Sequence, residues 1–172
     1  LQWTVVDANQ DGVTWEYTTE QAPAPVIYRY HYSNPGDDWL VSPGITPTED
    51  GVLMVKYNYF GSFYSEQMEV YYGTSSVPEE MEKKATHIDL KDRDYESFFF
   101  VEAKAGETVY LAFRATSLAY KQHLYLKSVA VEFIGSMVGS DYPNRVTSAS
   151  GLTLAATAKY VDVDEETEID FA

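Results

Sequence analysis

Short runs of strand-forming residues, each ended by a cluster of turn-forming residues, are the feature that most restricts how this chain can fold. The runs are rich in Val, Ile, Tyr and Phe, which suit a pleated sheet. The six clearest runs span residues 26–32, 52–60, 67–72, 98–102, 108–116 and 124–134. Clusters of Pro, Gly, Asn and Asp lie between them. This pattern predicts an all-β fold, a jelly-roll β-sandwich built from antiparallel sheets.

Two of the runs predict more than the presence of a strand. In 108–116, apolar residues such as Leu111 and Phe113 occupy every second position, so they should share a buried face. In 124–134 the alternation slips by one residue near Lys127. A slip of this kind indicates a β-bulge, in which one extra residue is inserted into a strand.

Helical patterns are nearly absent from the sequence. Only residues 77–84 have helical composition, with a Pro near the start and acidic residues before basic ones, and this segment is short. Because strands do not alternate with long helices, an α/β fold is excluded.

A change of composition near residue 139 predicts a domain boundary. We expect residues 1–138 to form the jelly-roll domain and 139–172 to form a linker and the first strands of a following domain. Since two strands do not make an independent domain, the alternative is that they complete the main sandwich as its final strands.

The charge and composition exclude several classes of function. The chain has 27 acidic and 12 basic residues, a net charge of -15. Such a surface repels phosphate, which excludes nucleic acid as a partner. No segment approaches the roughly 20 apolar residues of a membrane helix, so we expect no membrane insertion. The chain has no Cys, which excludes disulfides and a thiol nucleophile, and its first residues do not form a signal peptide.

One acidic loop has the spacing of a cation-binding segment. Asp7, Asn9 and Asp11 place side-chain oxygens at alternate positions, and Gly12 follows them. Calcium takes six to eight oxygen ligands, and Gly permits the sharp turn that such a loop needs. An EF-hand would have Glu where this chain has Thr18, and the flanks resemble strands, so the loop is not an EF-hand. The alternative is a turn in which Asx side chains cap the backbone without a metal.

A second acidic loop precedes a predicted strand. Asp37 and Asp38 come directly before Trp39. Asp38 could reach a cation held by the first loop, with Trp39 facing the core. The alternative is a simple turn followed by a core Trp.

These two loops resemble motifs of a known family. Residues 7–15, DANQDGVTW, and 37–43, DDWLVSP, are similar to the paired motifs of the cleaved-adhesin, or choice-of-anchor J, family. Weaker similarity continues through 67–74, 110–115 and 124–129 and spans roughly 3–134 of the chain. The resemblance implies a jelly roll related to galactose-binding, MAM and carbohydrate-binding modules. It also implies a secreted or cell-surface location, notably in Bacteroidetes, and a fibronectin-III-like domain beginning near Pro143.

The resemblance further implies a structural calcium ion that joins the two loops. The expected ligands are Asp7, Asn9, Asp11, the backbone carbonyl of Val13, and Asp38. The chain departs from the family at Lys127, where members often have Asp. Any ligand role of that position is therefore lost here.

Signals for catalysis are weak. The three His residues, 31, 87 and 123, are not spaced for a shared metal, and there is no HExxH motif, phosphate loop or nucleophile elbow. Carboxylates are abundant, but Glu66, Glu69 and Glu96 have no distinguishing sequence context. We therefore expect no enzyme activity.

The sequence and the resemblance together predict a calcium-stabilised extracellular binding module of a larger multidomain chain. Its partner would be a host protein or a glycan. The alternatives are a carbohydrate-binding module serving a glycoside hydrolase and a structural spacer. A planar trio of exposed rings in one groove would favour sugar binding over the spacer. The candidate rings are Tyr28, Tyr30, Tyr32, Tyr57, Tyr59, Tyr64 and Tyr120.

Overall fold

The computed structural model describes residues 2–19 and 26–136, which form ten β-strands, one short 3-10 turn and no α-helix. The strands are β1 (Thr4–Asp7), β2 (Trp15–Tyr17), β3 (Val26–Arg29), β4 (Asp38–Val41), β5 (Gly51–Gly61), β6 (Glu66–Gly73), β7 (Glu82–Leu90), β8 (Arg93–Ala103), β9 (Tyr110–Ala115) and β10 (His123–Ser136). No helix in this part of the chain is long and apolar enough to cross a membrane.

The strands form two five-stranded sheets. One has the order β1-β4-β9-β6-β7 and the other the order β2-β3-β10-β5-β8. Every pairing is antiparallel. The predicted all-β, jelly-roll β-sandwich is therefore confirmed.

Apolar side chains from alternate strand positions fill the space between the sheets. Leu111 and Phe113 on β9 are fully buried there, as their alternation predicts. Trp15 and Leu124 come from the facing sheet. Burial of this kind is the main favourable term for a sandwich, because each fully buried large apolar side chain contributes about 1.5–3 kcal/mol.

A smaller apolar cluster covers the outer face of the sheet that contains β4 and β9. Trp39 lies in this cluster and packs on Tyr71 with ring centroids 4.8 Å apart. The guanidinium of Arg114 covers the Trp39 ring at 4.9 Å. Trp39 is buried in this outer apolar cluster, whereas strand alternation turns its neighbour Leu40 into the core between the sheets.

Five of the connections lie at one end of the sandwich, which we call the loop end. They are β1–β2 (8–14), β3–β4 (30–37), β5–β6 (62–65), β7–β8 (91–92) and β9–β10 (116–122). The register requires this arrangement. Asp7 pairs with Asp38, which pairs with Ala115, while Gly61 pairs with both Leu124 and Arg93. The chain enters β1 and leaves β10 at the opposite end.

The irregular features match the sequence only in part. The bulge predicted near Lys127 is present, since the register between β10 and β5 shifts between Leu126 and Ser128. The helical candidate at 77–84 is not an α-helix. The structure has a 3-10 turn at Pro78–Glu80, and β7 then begins at Glu82. The linker and strands predicted for 139–172 lie outside the described residues.

Candidate functional site

The two acidic loops meet at the loop end. Asp7 ends β1 and Asp38 begins β4, and these residues are opposite each other in the antiparallel pair. The Ala8 N–H donates to the Asp37 carbonyl at 3.1 Å, and Asn9 Nδ2 donates to the Pro35 carbonyl at 2.9 Å. The structure thus places the first loop directly against the second, so the two acidic segments form one site.

Within the first loop, most of the side-chain oxygens already accept backbone hydrogen bonds. Asp7 accepts from the N–H groups of Asp11 and Gly12, at 3.2 and 2.9 Å. Asn9 Oδ1 accepts from Asp11 N–H at 3.2 Å, and Asp11 Oδ1 accepts from Val13 N–H at 2.9 Å. Gly12 has φ +85°, a left-handed conformation that suits Gly. These are the bonds of Asx turns, the arrangement weighed above as the alternative to a cation loop.

Two carboxylate oxygens remain unsatisfied at the centre of the junction. Asp38 is fully buried and the Asp11 side chain is 3% exposed. Asp38 Oδ2 accepts from the Asp37 N–H at 3.1 Å, but Asp38 Oδ1 and Asp11 Oδ2 are buried without a hydrogen-bond partner. A buried polar atom without a partner is destabilising and uncommon in native proteins, so it needs a physical explanation.

His31 does not supply the missing partner. Its Nδ1 lies 3.9 Å from Asp11 Oδ2. The same nitrogen accepts the N–H groups of Ser33 and Asn34, each at 3.1 Å. An Nδ1 that accepts these bonds carries no proton to donate to the Asp11 carboxylate.

The electrostatics of the junction disfavour its charged form. The pKa of Asp38 is raised to about 7, mainly by burial and also by the nearby charges of Asp7, Asp11 and Asp37, against the lowering effect of the Asp37 N–H. Carboxylates gathered in this way repel each other, and a positive charge among them would reverse the effect.

Glu66 is a residue of the same end that the sequence reasoning missed. It begins β6, is fully buried, and accepts the Gln122 N–H on Oε2 at 2.7 Å, while Oε1 has no partner. Burial raises its pKa. Asp38 and Glu66 are both acidic residues at the first position of a strand. Together with the strand order, this shared position would have placed both residues at the same end of the sandwich.

The hydroxyl of Tyr28 lies close to these acids. Burial raises the pKa of Tyr28, and the charges of Asp38, Asp11 and Glu66 raise it further. The hydroxyl is buried without a partner. Gly36 permits the close approach of this ring, since a Cβ there would lie 2.7 Å from the hydroxyl. Several polar groups therefore converge on one buried region beneath the loops.

Lys127, which stands where the resembled family often has Asp, does not face the junction. Its Nζ donates to Asp94 Oδ1 on β8 at 2.8 Å. It therefore neutralises a different carboxylate. At the junction itself, Arg114 Nε donates to Asp37 Oδ1 at 2.8 Å, which balances Asp37 but not Asp38.

The predicted calcium ligands are close together but do not form a complete site by side chains alone. In residues 2–19 and 26–136, no group of three or more His, Asp and Glu side chains is arranged to hold a metal ion. A cation at the junction would need main-chain carbonyl oxygens, as calcium sites commonly use. The Val13 carbonyl keeps that role as a prediction.

Three tyrosines form a cluster beside the junction. Tyr30 and Tyr32 come from the 30–37 loop and Tyr120 from the 116–122 loop. Their ring centroids are 5.0 to 6.0 Å apart, and the rings are inclined by 32° to 66°. Tyr32 and Tyr120 are 69% and 63% exposed. The trio is therefore compact with two exposed rings, but its rings are not coplanar, so it is not the planar trio named above as favouring sugar binding.

The other candidate tyrosines have different surroundings. Tyr28, Tyr57 and Tyr59 are buried, so they are unavailable to a ligand at the surface. Tyr64 is 47% exposed and packs edge-on against Phe63, also at the loop end. The exposed members of the candidate set therefore lie on the same end as the acidic junction, while Tyr17, Phe98 and Phe100 are exposed elsewhere on the sandwich.

The sequence matches no protein-family model and none of the curated proteins. Solved structures do match it. The K1 cleaved adhesin domain of Lys-gingipain from Porphyromonas gingivalis W83 superimposes with a TM-score of 0.57 at 18% identity, over 77% of this chain and 91% of that domain. The chain has the fold of the cleaved adhesin domains. The K2 cleaved adhesin domain of the same protein gives a TM-score of 0.56 at 18% identity, over 78% of this chain and 90% of that one.

The cleaved-adhesin fold is shared with carbohydrate-binding modules. The CBM22-1 xylan-binding domain of Xyn10C from Paenibacillus barcinonensis matches with a TM-score of 0.54 at 11% identity, over 78% of this chain and 86% of that domain. At these identities the likeness establishes the fold. It does not transfer a ligand or a binding residue.

Proposed function

We propose that the chain is a non-catalytic, calcium-stabilised binding module of adhesin type, part of a larger secreted or surface-displayed protein, with a host protein or glycan as partner. The observation that supports this proposal most directly is the pair of buried, unpartnered oxygens, Asp11 Oδ2 and Asp38 Oδ1, where the two loops meet. Two carboxylates held together without a counter-charge are expected where a cation normally balances them.

In the proposed site, Asp11 and Asp38 supply the oxygens that no hydrogen bond uses. Asp7, Asn9 and the Val13 carbonyl are the further ligands that we propose. The cation would supply positive charge that offsets carboxylate repulsion and fixes the loop end. Asx-turn bonds do not oppose this, because a carboxylate has several acceptor sites and one oxygen can accept an N–H while others face a metal.

Catalysis is a weaker explanation of the same carboxylates. Acids with raised pKa values often mark active sites, and both Asp38 and Glu66 have raised pKa values. Both are fully buried beneath the loops, however, and do not line an open cleft that could admit a substrate. A metal ion is small and does not need an open cleft to reach these carboxylates.

The extracellular setting rests on the family resemblance and the structural neighbours. The neighbours include an adhesin domain of Porphyromonas gingivalis, which is consistent with an origin in Bacteroidetes. A carbohydrate-binding module is the second candidate function, and the exposed tyrosines favour it. A pure spacer is less consistent with the contiguous cluster of exposed rings at the loop end, because contiguous apolar patches mark interaction sites more often than single exposed rings do.

Thermal unfolding of the full chain in excess calcium and in EDTA tests the calcium proposal. A ligand that binds only the folded state stabilises it by about 2.7 kcal/mol at a hundred times its Kd, so the midpoint should rise with calcium concentration. The variant Asp11→Ala loses the Val13 N–H bond in both conditions, so it should lose clearly more stability in calcium than in EDTA. Equal loss in both conditions would contradict the site.

If wild type shows no difference between calcium and EDTA, metal analysis of the purified protein decides the interpretation. A stoichiometric ion would mean that EDTA fails to remove it. A metal-free protein would mean that the acidic loops are self-capped turns.

A further inference from the structure

Several surface-exposed rings lie at the loop end of the sandwich, which is opposite the end where the chain enters β1 and leaves β10. The 30–37, 62–65 and 116–122 loops all lie at the loop end. They carry Tyr32, Phe63, Tyr64 and Tyr120, which are 69%, 68%, 47% and 63% exposed. A surface at this end is accessible when the opposite end is joined to the rest of the protein.

The tyrosine cluster is held by specific bonds. The Tyr120 N–H donates to the His31 carbonyl at 2.9 Å, and the Tyr30 N–H donates to the Gln122 carbonyl at 3.0 Å. These bonds join the 30–37 and 116–122 loops on either side of the rings. Tyr30 is half-buried beneath the two exposed rings and supports them.

Tyr120 also has a strained backbone. Its φ is +62°, a left-handed conformation that is unfavourable for a residue with a large side chain. The strain does not serve burial, since the ring is 63% exposed. Strain that holds a large apolar group out in solvent points to a use of that group in binding.

The chemistry of this end favours a neutral, hydroxyl-rich partner. Asp7, Asp11, Asp37 and Asp38 lie in the adjoining loops, so an anionic ligand would be repelled. The C–H faces of a pyranose ring can pack on tyrosine faces, while sugar hydroxyls can bond to the phenol groups and carboxylates. Because the exposed rings are 5.0 Å apart and inclined by 32°, they offer a compact contact rather than a long flat platform.

We propose that Tyr30, Tyr32 and Tyr120 form a carbohydrate-binding site for a short, neutral stretch of glycan. The proposal rests on the proposed function as a binding module, but it does not require calcium. Tyr32 and Tyr120 make the stacking contacts, and Tyr30 orients them.

The test is retention of the full chain in native gels that contain xylan, hydroxyethylcellulose or galactomannan, followed by a printed array of neutral and sialylated oligosaccharides. Wild type should be retained by a neutral glycan. Tyr32→Ala and Tyr120→Gly should each weaken that binding roughly tenfold or more. Tyr120→Gly is the sharper variant, because Gly suits a φ of +62° and the protein should remain folded. Tyr17→Ala, which removes a ring that is 70% exposed on strand β2 and lies outside the tyrosine cluster, is the matched control.

Three outcomes would overturn the carbohydrate site: no binding to any neutral glycan, binding that survives loss of both exposed rings, or binding only to a protein partner. The last of these would leave the proposed function intact. The calcium-dependent shift in midpoint is measured on the same variants and should persist in all of them. Loss of glycan binding with an intact calcium shift therefore separates the failure of one proposal from that of the other.

Discussion

Two regions of this sandwich bury polar side chains, and they differ in whether those groups satisfy each other. Between the sheets, His87 accepts or donates at both ring nitrogens, with the Tyr57 hydroxyl at 2.9 Å and the Tyr59 hydroxyl at 3.0 Å. Tyr59 also contacts Ser97 Oγ at 2.9 Å. At the loop end, Asp11, Asp38 and Glu66 each keep a buried oxygen without a partner.

The contrast separates a structural network from a candidate binding site. A buried network with satisfied members adds rigidity and needs nothing from outside. Buried carboxylates with free oxygens destabilise the fold unless a ligand or a proton satisfies them. The two regions should therefore respond in opposite ways to calcium, to pH and to substitution.

The largest expected effect is that of Asp38→Asn, which should raise the stability in EDTA and lower it in calcium. Asn keeps an oxygen for the Asp37 N–H but removes the buried charge. At pH 8 in EDTA the variant should be more stable than wild type, by up to about 4 kcal/mol, because the pKa of Asp38 is raised from 3.8 to about 7. In excess calcium the order should reverse, since the variant lacks a ligand. Urea unfolding in both conditions measures this difference.

Asp94→Asn is the matched control for that substitution. It removes the same charge from an exposed carboxylate that pairs with Lys127 on a different face. Its effect should be small and equal with and without calcium. If Asp38→Asn is less stable than wild type in EDTA, the Asp38 carboxylate does not destabilise the metal-free fold, which contradicts the prediction.

The next effect concerns pH. The folded-state pKa of Asp38 is raised. Its contribution to the free energy of unfolding is therefore fully present below about pH 4 and is lost as pH rises through about 7. Burial lowers the pKa of His87. Its contribution is therefore present above its ordinary value of 6.5 and is lost as pH falls. The two regions give opposite slopes.

Urea unfolding in EDTA across pH 4 to 8 separates the two slopes. Wild type should lose stability as the pH rises, because of Asp38, and also as it falls, because of His87. Asp38→Asn should show a smaller loss on raising the pH and the same loss on lowering it. Wild type in excess calcium should behave like the variant at high pH. Identical profiles for wild type and Asp38→Asn would count against the raised pKa.

A smaller, calcium-independent loss is expected at the satisfied network. Tyr59→Phe removes the hydroxyl that meets His87 and Ser97 and leaves a half-buried ring nitrogen without that partner. The expected loss is about 1–3 kcal/mol, the same in calcium and in EDTA. Tyr17→Phe removes an exposed hydroxyl and should change nothing. A loss for Tyr59→Phe that depends on calcium would mean that the two regions are coupled.

The contrast between the regions also explains what the sequence could predict. Two-residue alternation located the strands and the bulge near Lys127, because those depend on neighbours along the chain. The motif spacing brought Asp7, Asn9, Asp11 and Asp38 to one junction. Local patterns could not show that Glu66 would lie at the same end, since that depends on the order of strands across the sheet. Strand alternation puts Leu40 between the sheets and Trp39 in the outer cluster, but the sequence does not say which of the two faces inward.

The smallest effect is expected at Lys127, whose ammonium group was the main sequence argument against a calcium ligand at that position. The structure gives Lys127 a separate partner, Asp94, with side-chain exposures of 19% and 66%. A surface pair of this kind contributes about 0–1 kcal/mol. Lys127→Ala should therefore cause a small loss of stability and leave the calcium-induced shift in midpoint unchanged. A substantially larger calcium-induced shift for Lys127→Ala would contradict this prediction. It would mean that the Lys127 ammonium group repels the bound cation and that the cation site extends from Asp38 towards Lys127.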